Sequence, residues 1–200
     1  MTILESEFIF AVEKSIIKYF KAQVPTINVN GKSKMVNIFA DYPRMFKDKH
    51  RPSACFEIVR HTYESYVLGN HIGTQGASGG LVTDQWGYKV PFTLSIHTLT
   101  GSAMERRILD GAIDFLLIKM ADGRGSIPVC EFATDLDSEG NDSGMRISVS
   151  RYSAISSVPS EDIEKEDYMS IKSIEMESFY ITLADSYPVS GFNWTNNIQV

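Results

Sequence analysis

The chain has 200 residues, 43% hydrophobic and 22% charged, which is enough for one real core and short for two. Against 19 basic residues stand 25 acidic ones, a net charge of −6, which argues against a general nucleic-acid binder whose affinity rests on neutralising phosphates. Any contact with DNA is therefore expected to be passive. The opening Met1-Thr2-Ile3-Leu4-Glu5-Ser6-Glu7 lacks the basic and apolar parts of a secretory signal, and no later run approaches the roughly 20 apolar residues of a membrane span, so no membrane association is expected. Cys55 and Cys130 lie in or beside apolar segments without metal-ligand spacing, which predicts buried free thiols and fits a reducing cytoplasm.

In chain order, Leu4, Phe8, Val12, Ile16 and Tyr19 share one face of a predicted helix over 4–22, ended by Pro25. Asn30-Gly31 marks a turn, and 35–40 reads as a short apolar strand closed by Asp41-Tyr42-Pro43. Residues 53–67 form the next expected strand, rich in Phe56, Ile58, Val59, Tyr63 and Tyr66. The stretch 68–87 holds six glycines between two strands that could pair, so an extended arm or flexible loop is expected there.

Residues 89–98 alternate Val90, Phe92, Leu94 and Ile96 with polar neighbours, the pattern of a strand with one buried face, and His97 should point to the other face. Ser102-Ala103-Met104-Glu105 matches a capping box and predicts a helix start. That helix should bury Met104, Ile108, Leu109, Ala112, Ile113, Leu116 and Met120. Glu105, Arg106, Asp110, Asp114 and Lys119 should fall mostly on the other side, and Asp122-Gly123 supplies the stop. Residues 145–155 read as a strand with Ile147 and Val149 inward, 156–174 as a polar and acidic insertion, and 178–184 as a closing strand with Phe179, Ile181 and Leu183 inward. Residues 185–200 hold Tyr187, Phe192 and Trp194 among Pro, Gly and Asn without a period, which reads as a tail that orders only against a surface. The expected fold class is two-layer α+β: a mainly antiparallel sheet covered by two helices, with long loop or hairpin arms. It forms one domain over 1–184, with insertions at about 68–87, 122–146 and 156–174.

No motif for chemistry is complete. Gly31-Lys32-Ser33 resembles the end of a phosphate-binding loop, but the glycine required five places earlier is Thr26 and no strand is expected to lead into it. Gly76-Ala77-Ser78-Gly79-Gly80 fits the letters of a nucleophile elbow without its buried strand and following helix. Asp135, Asp137, Glu139 and Gly140 mimic half of a calcium loop, whose closing twelfth position is Arg146 and whose apolar eighth is Asp142; a solvated acidic loop is the simpler reading, with weak ion binding left open. His50, His61, His71 and His97 share no ligand spacing. No catalytic, cofactor or metal residue is assigned. Tyr63, Tyr66, Trp86 and Tyr88 flank the glycine-rich stretch with few cations nearby, so they are expected at a protein contact rather than under stacked bases, and Phe192 and Trp194 are expected to join them. Glu161-Asp162-Ile163-Glu164-Lys165-Glu166-Asp167 reads as a solvated loop or, in a ring, as a channel lining that repels DNA phosphates.

The order helix, short strand, two long strands joined by an excursion, helix, then two closing strands resembles the tail terminator and tail completion proteins of tailed bacteriophages. The Tyr42-Pro43 turn carries that resemblance, with Arg51-Pro52-Ser53-Ala54-Cys55-Phe56-Glu57-Ile58-Val59, the stretch from Phe92 to Thr100 leading into 103–120, and the strand 178–184; together with the element order it spans about 120 residues, mainly as pattern. It implies a virion structural protein, assembled in the host cytoplasm, with no enzymatic activity. About six copies would form a ring on the tail tube protein, stop its polymerisation and meet the neck or connector protein, with DNA passing through the pore. A head–tail connector adaptor or a baseplate component could use the same core. From another class, a small serine hydrolase on Ser78 with a histidine and an aspartate such as Asp84, or a ligand-binding domain, are the rivals.

Overall fold

The alternation of Val90, Phe92, Leu94 and Ile96 belongs to a strand much longer than the stretch that displays it. The computed structural model describes residues 5–40, 51–65, 71–77, 81–122, 125–130, 142–150, 156–162, 167–183 and 187–188. Its elements are α1 (Glu5–Gln23), β1 (Thr26–Val29), β2 (Lys32–Met35), β3 (Asn37–Phe39), β4 (Ser53–His61), β5 (Glu64–Ser65), β6 (His71–Ala77), β7 (Leu81–Thr100), α2 (Ala103–Ala121), β8 (Ile127–Cys130), β9 (Asp142–Val149), β10 (Ser156–Asp162), β11 (Asp167–Leu183) and β12 (Tyr187–Pro188).

β7 and β11 pair antiparallel from Tyr168 opposite Thr100 to Leu183 opposite Gln85. Along the other edge of β7 lie β4, β5 and β6 in turn, and along the other edge of β11 lie β10 and β9. β3 extends the sheet in parallel beyond β4, and β8 extends it beyond β9. β12 takes up the line of β11 and pairs with the start of β7, Tyr187 opposite Val82. The result is an α+β fold in which both helices cover one face of a mainly antiparallel sheet.

From Trp86 to Thr100 in β7 and from Tyr168 to Tyr180 in β11, even-numbered residues lie on the helix side of the sheet. Leu94 opposite Ile174 and Phe92 opposite Met176 are buried there, with Phe56 of β4 opposite Ile96. α1 lays Phe8, Val12, Ile16 and Phe20 on this surface; Phe20 stacks on Phe56 at 4.5 Å between ring centres. Buried Ser15 ties α1 to β8, donating to Ala11 O at 2.6 Å and accepting from Cys130 N at 2.9 Å. Cys55 is buried and Cys130 half-buried, and neither is in a disulfide. The Asn30-Gly31 turn joins β1 to β2 with positive φ at both residues (51° and 77°), the geometry of a two-residue hairpin turn. α2 starts at the expected cap: Ser102 Oγ accepts from Glu105 N at 3.2 Å, and Glu105 Oε2 accepts from Gly101 N at 3.0 Å.

Several boundaries differ from those read from sequence. β1, unmarked in that reading, pairs with β2, and the expected strand over 35–40 is divided between β2 and β3. The expected strand over 53–67 ends as β4 at His61, with β5 beyond it; an extra residue, Val59, bulges between Ile58 and Arg60 and is exposed. The acidic insertion 156–174 is instead the β10–β11 hairpin, with Asp162 opposite Asp167 at its end. Its strands were hidden because Ser170 and Lys172 point inward while Ile171 points out, and the same phase continues into the expected closing strand, where Ser178 and Tyr180 are buried on the helix side and Phe179, expected inward, lies on the other face. In α2, Leu109, Ile113, Leu116 and Met120 are buried as expected, but Met104 is exposed, and Glu105 and Arg106 are buried.

That phase has a local cause. Asp110 Oδ1 of α2 accepts from Ser170 Oγ at 2.7 Å and from Thr98 Oγ1 at 3.1 Å. One turn on, Asp114 holds the Lys172 ammonium, whose Nζ lies 3.0 Å and 3.1 Å from its two carboxylate oxygens. The lysine is 1% exposed, so its charge is stable there only because the two aspartates face it. Changing Asp110→Asn and Asp114→Asn together should therefore cost about 3 kcal/mol by stranding a buried ammonium. Lys172→Met should cost about 1 kcal/mol or less, because the stem is replaced in kind and the carboxylates keep hydroxyl partners or solvent. Urea unfolding of the two variants reads the asymmetry; equal losses would refute it.

Candidate interaction surfaces

The first surface is the arm. β6 and the first half of β7 pair from Gly73 opposite Gln85 to Ala77 opposite Leu81, so the described part of 68–87 is a hairpin. At its root, on the helix side, three tyrosines from different strands or their ends meet. Tyr63 lies edge-on to Tyr88 at 6.4 Å and to Tyr180 at 6.3 Å, Tyr88 stacks on Tyr180 at 6.5 Å, and Phe8 of α1 packs on Tyr180 at 4.9 Å. Tyr63 and Tyr88 thus brace the arm against α1 with part of their surface, and both stay half-exposed. Trp86, on the same side of β7, meets the His71 ring edge-on at 5.5 Å. Of the six aromatic residues expected at a contact, the structure gathers Tyr63, Tyr88 and Trp86 along the arm; Tyr66, Phe192 and Trp194 lie outside the described residues, as do Ser78 and the acidic loop 135–141.

The second surface is the sheet face turned away from the helices. His97 projects there as expected, and its Nε2 lies 3.0 Å from Ser95 Oγ. Both sit mid-strand, with β7 paired to β4 on one side and β11 on the other. The neighbouring amides are therefore committed to the ladders, and none is left to stabilise an oxyanion beside that hydroxyl. Further along this face, a cleft of about 270 Å³ is lined by Arg60, His61, Glu64, Lys89, Glu175 and Glu177, among others. Acid and base are interleaved here, and Lys89 Nζ lies 2.9 Å from Glu177 Oε2. Back at His97, which lies opposite Ile171, Val158 and Ile171 form an exposed apolar cross-strand pair.

The third surface was missed from sequence. Phe115 and Ile118 on α2 are 68% and 52% exposed, and Met104 is 48% exposed on the same side. The core stripe expected from sequence takes in Met104 and Ile108 and leaves Phe115 and Ile118 unassigned, so this second face has no place in it.

Among the described residues, no group of three or more His, Cys, Asp or Glu side chains could hold a metal ion, and no helix is long and apolar enough to cross a membrane. No protein-family model matches the chain, and no curated protein matches its sequence.

The Lys89–Glu177 pair makes a pH prediction. The hydrogen bond to Glu177 holds the Lys89 ammonium above its ordinary value of 10.5, aided by the charges of Glu177 and Glu64 and opposed by burial. A raised lysine pKa stabilises the fold in full below the unfolded value and loses that contribution as pH rises through the folded one. The difference in Tm between wild type and Glu177→Gln should thus stay level from neutral pH up to about pH 10 and shrink above it. A difference that persists unchanged through strongly alkaline pH would show that the pair is not its source.

Proposed function

We propose that this chain is a virion structural protein of a tailed bacteriophage, about six copies of which form a ring that ends the tail tube and joins it to the neck. The observation that carries the reading is the β7–β11 ribbon. It runs past the core the helices cover at the end that bears the β6–β7 arm, and at its other end, under α2, it carries the β10–β11 hairpin along its outer edge. Such extensions give a ring subunit side-to-side contacts, whereas an enzyme needs polar groups converging on one point. The element order that resembles tail terminators supports the same reading. In the ring, the acidic end of the β10–β11 hairpin faces the pore, where like charge keeps DNA phosphates from adhering. The arm reaches the neighbouring subunit, and one face of the ring meets the tube protein.

The test shortens the arm. Residues 74–84 are replaced by Asn-Gly, which rejoins the paired residues Gly73 and Gln85 through a two-residue turn. Wild-type protein should form rings of about six by native mass spectrometry and bind the ends of tail tubes, halting their growth. The shortened variant should keep its far-UV circular dichroism and lose both. Binding along tube walls, or tube growth unaffected by wild type, would overturn the terminator reading; binding only to the connector would assign the chain to an adaptor.

A further inference from the structure

α2 carries two apolar stripes, and only one is in the core. Met104, Ile108, Gly111, Phe115 and Ile118 recur at intervals of four and three, which at 100° per residue keeps them on one narrow face opposite Leu109, Ile113 and Met120. The stripe spans about 21 Å of helix. Ile108 is half-buried, Met104, Phe115 and Ile118 are exposed, and a Cβ at Gly111 would meet nothing within 4 Å, so an open dent lies at its middle. Scattered exposed apolar residues need no explanation, but a continuous stripe of this length on one helix is the form of a docking seam.

The sequence contains a matching segment. Residues 189–200 hold no charged residue in a chain that is 22% charged, and Phe192 and Trp194 are two apart. In an extended chain such residues point to the same side about 7 Å apart, close to the 5.4 Å that separates successive turns of a helix.

Position decides whose helix this segment can cover. Tyr187 and Pro188 pair with Val82 and Leu81, at the end of β7 remote from α2. From Leu81 the strand runs about 60 Å to Thr100 before α2 begins, and α2 recovers only about 12 Å by Gly111. Phe192 and Trp194 lie four and six residues past Pro188, about 13 and 20 Å of extended chain. The middle of the molecule's own stripe is out of their reach.

We propose that residues 189–200 of one copy lie across the exposed α2 stripe of the next copy, with Phe192 and Trp194 seated around Gly111 and Phe115. The proposal deepens the ring reading and rests on it. Because the two surfaces differ, the contact is head-to-tail and repeats around a closed ring.

The test mixes two full-length variants. Phe115→Glu with Ile118→Glu spoils the stripe and leaves residues 189–200 intact; Phe192→Ala with Trp194→Ala does the reverse. Each alone should need about tenfold or more higher concentration to form rings, with unchanged circular dichroism. An equimolar mixture holds one intact contact per unlike pair, so native mass spectrometry should show heterodimers and no ring. As a second measurement, Phe115→Cys in one copy and Trp194→Cys in another, both in a Cys130→Ser background, should be joined by a short bismaleimide only between the unlike variants. Rings that persist in both glutamate and alanine variants would overturn the docking and leave the ring reading standing. Cross-linking within one chain carrying both cysteines would place the segment on its own helix. Wild-type protein that forms no ring and caps no tube would overturn the ring reading and, with it, this one.

Discussion

Everything in this fold is referred to the antiparallel pairing of β7 with β11. Its register has consequences well beyond the two strands, because a slip of one residue would exchange the two faces of β11. Leu94 opposite Ile174 and Phe92 opposite Met176 would not by themselves exclude every alternative, since Ile171 and Phe179 are apolar on the other face. The polar inward positions remove the ambiguity. Ser170 meets Thr98 at 2.7 Å, and Lys172 finds its counter-charge in the helix above. Shifted by one, the lysine would leave Asp110 and Asp114, and Ile171 would face their carboxylates instead.

The helix, in turn, is placed by its cap. β7 ends at Thr100, and Ser102 and Glu105 start α2 two residues later. That short connection sets the distance from the strand end to Asp110 and Asp114, so a local signal determines where two carboxylates hang over β11. Thr100 closes the corner, its one hydroxyl proton shared between Ser102 O at 3.1 Å and Tyr168 O at 3.0 Å. Lys34 of the β1–β2 hairpin reaches Glu105 from the other side, so the cap also anchors that hairpin. A chain of local contacts thus connects the turn after β7, the axis of α2, the register of β11 and the seat of the first hairpin.

The same ribbon explains why the described residues present long open surfaces. Two long strands can be covered by two helices of ordinary length only over part of their length, and what projects past that cover must be met by added strands or by another molecule. β4 to β6 and β12 line the remaining length of β7, while β10 and β9 share the outer edge of β11. Charges on the uncovered face are arranged in pairs across strands, as Lys89 and Glu177 are, which suits a surface that stays wet or meets a polar partner.

The amino-acid sequence alone determined the elements whose signals are local. α1 and α2 follow from their apolar periodicity and the capping box, the middle of β7 from its alternation, the first hairpin's turn from Asn30-Gly31, and the α+β class from these together. It also marked Tyr63, Trp86 and Tyr88 as aromatic residues flanking an extended arm. Only the tertiary structure decided the β10–β11 hairpin, whose alternation is masked by Lys172 and Ser170, residues that are inward only because Asp110 and Asp114 lie above them. It alone divided α2 between a buried stripe and an exposed one: periodicity shows that Met104, Phe115 and Ile118 share a side, but which side meets the sheet is set by the strands it packs on. The physical reason is the same in both cases. Patterns of period two or near four report what a residue's neighbours along the chain require, whereas a buried charge or an uncovered apolar face depends on groups that sequence distance does not reveal.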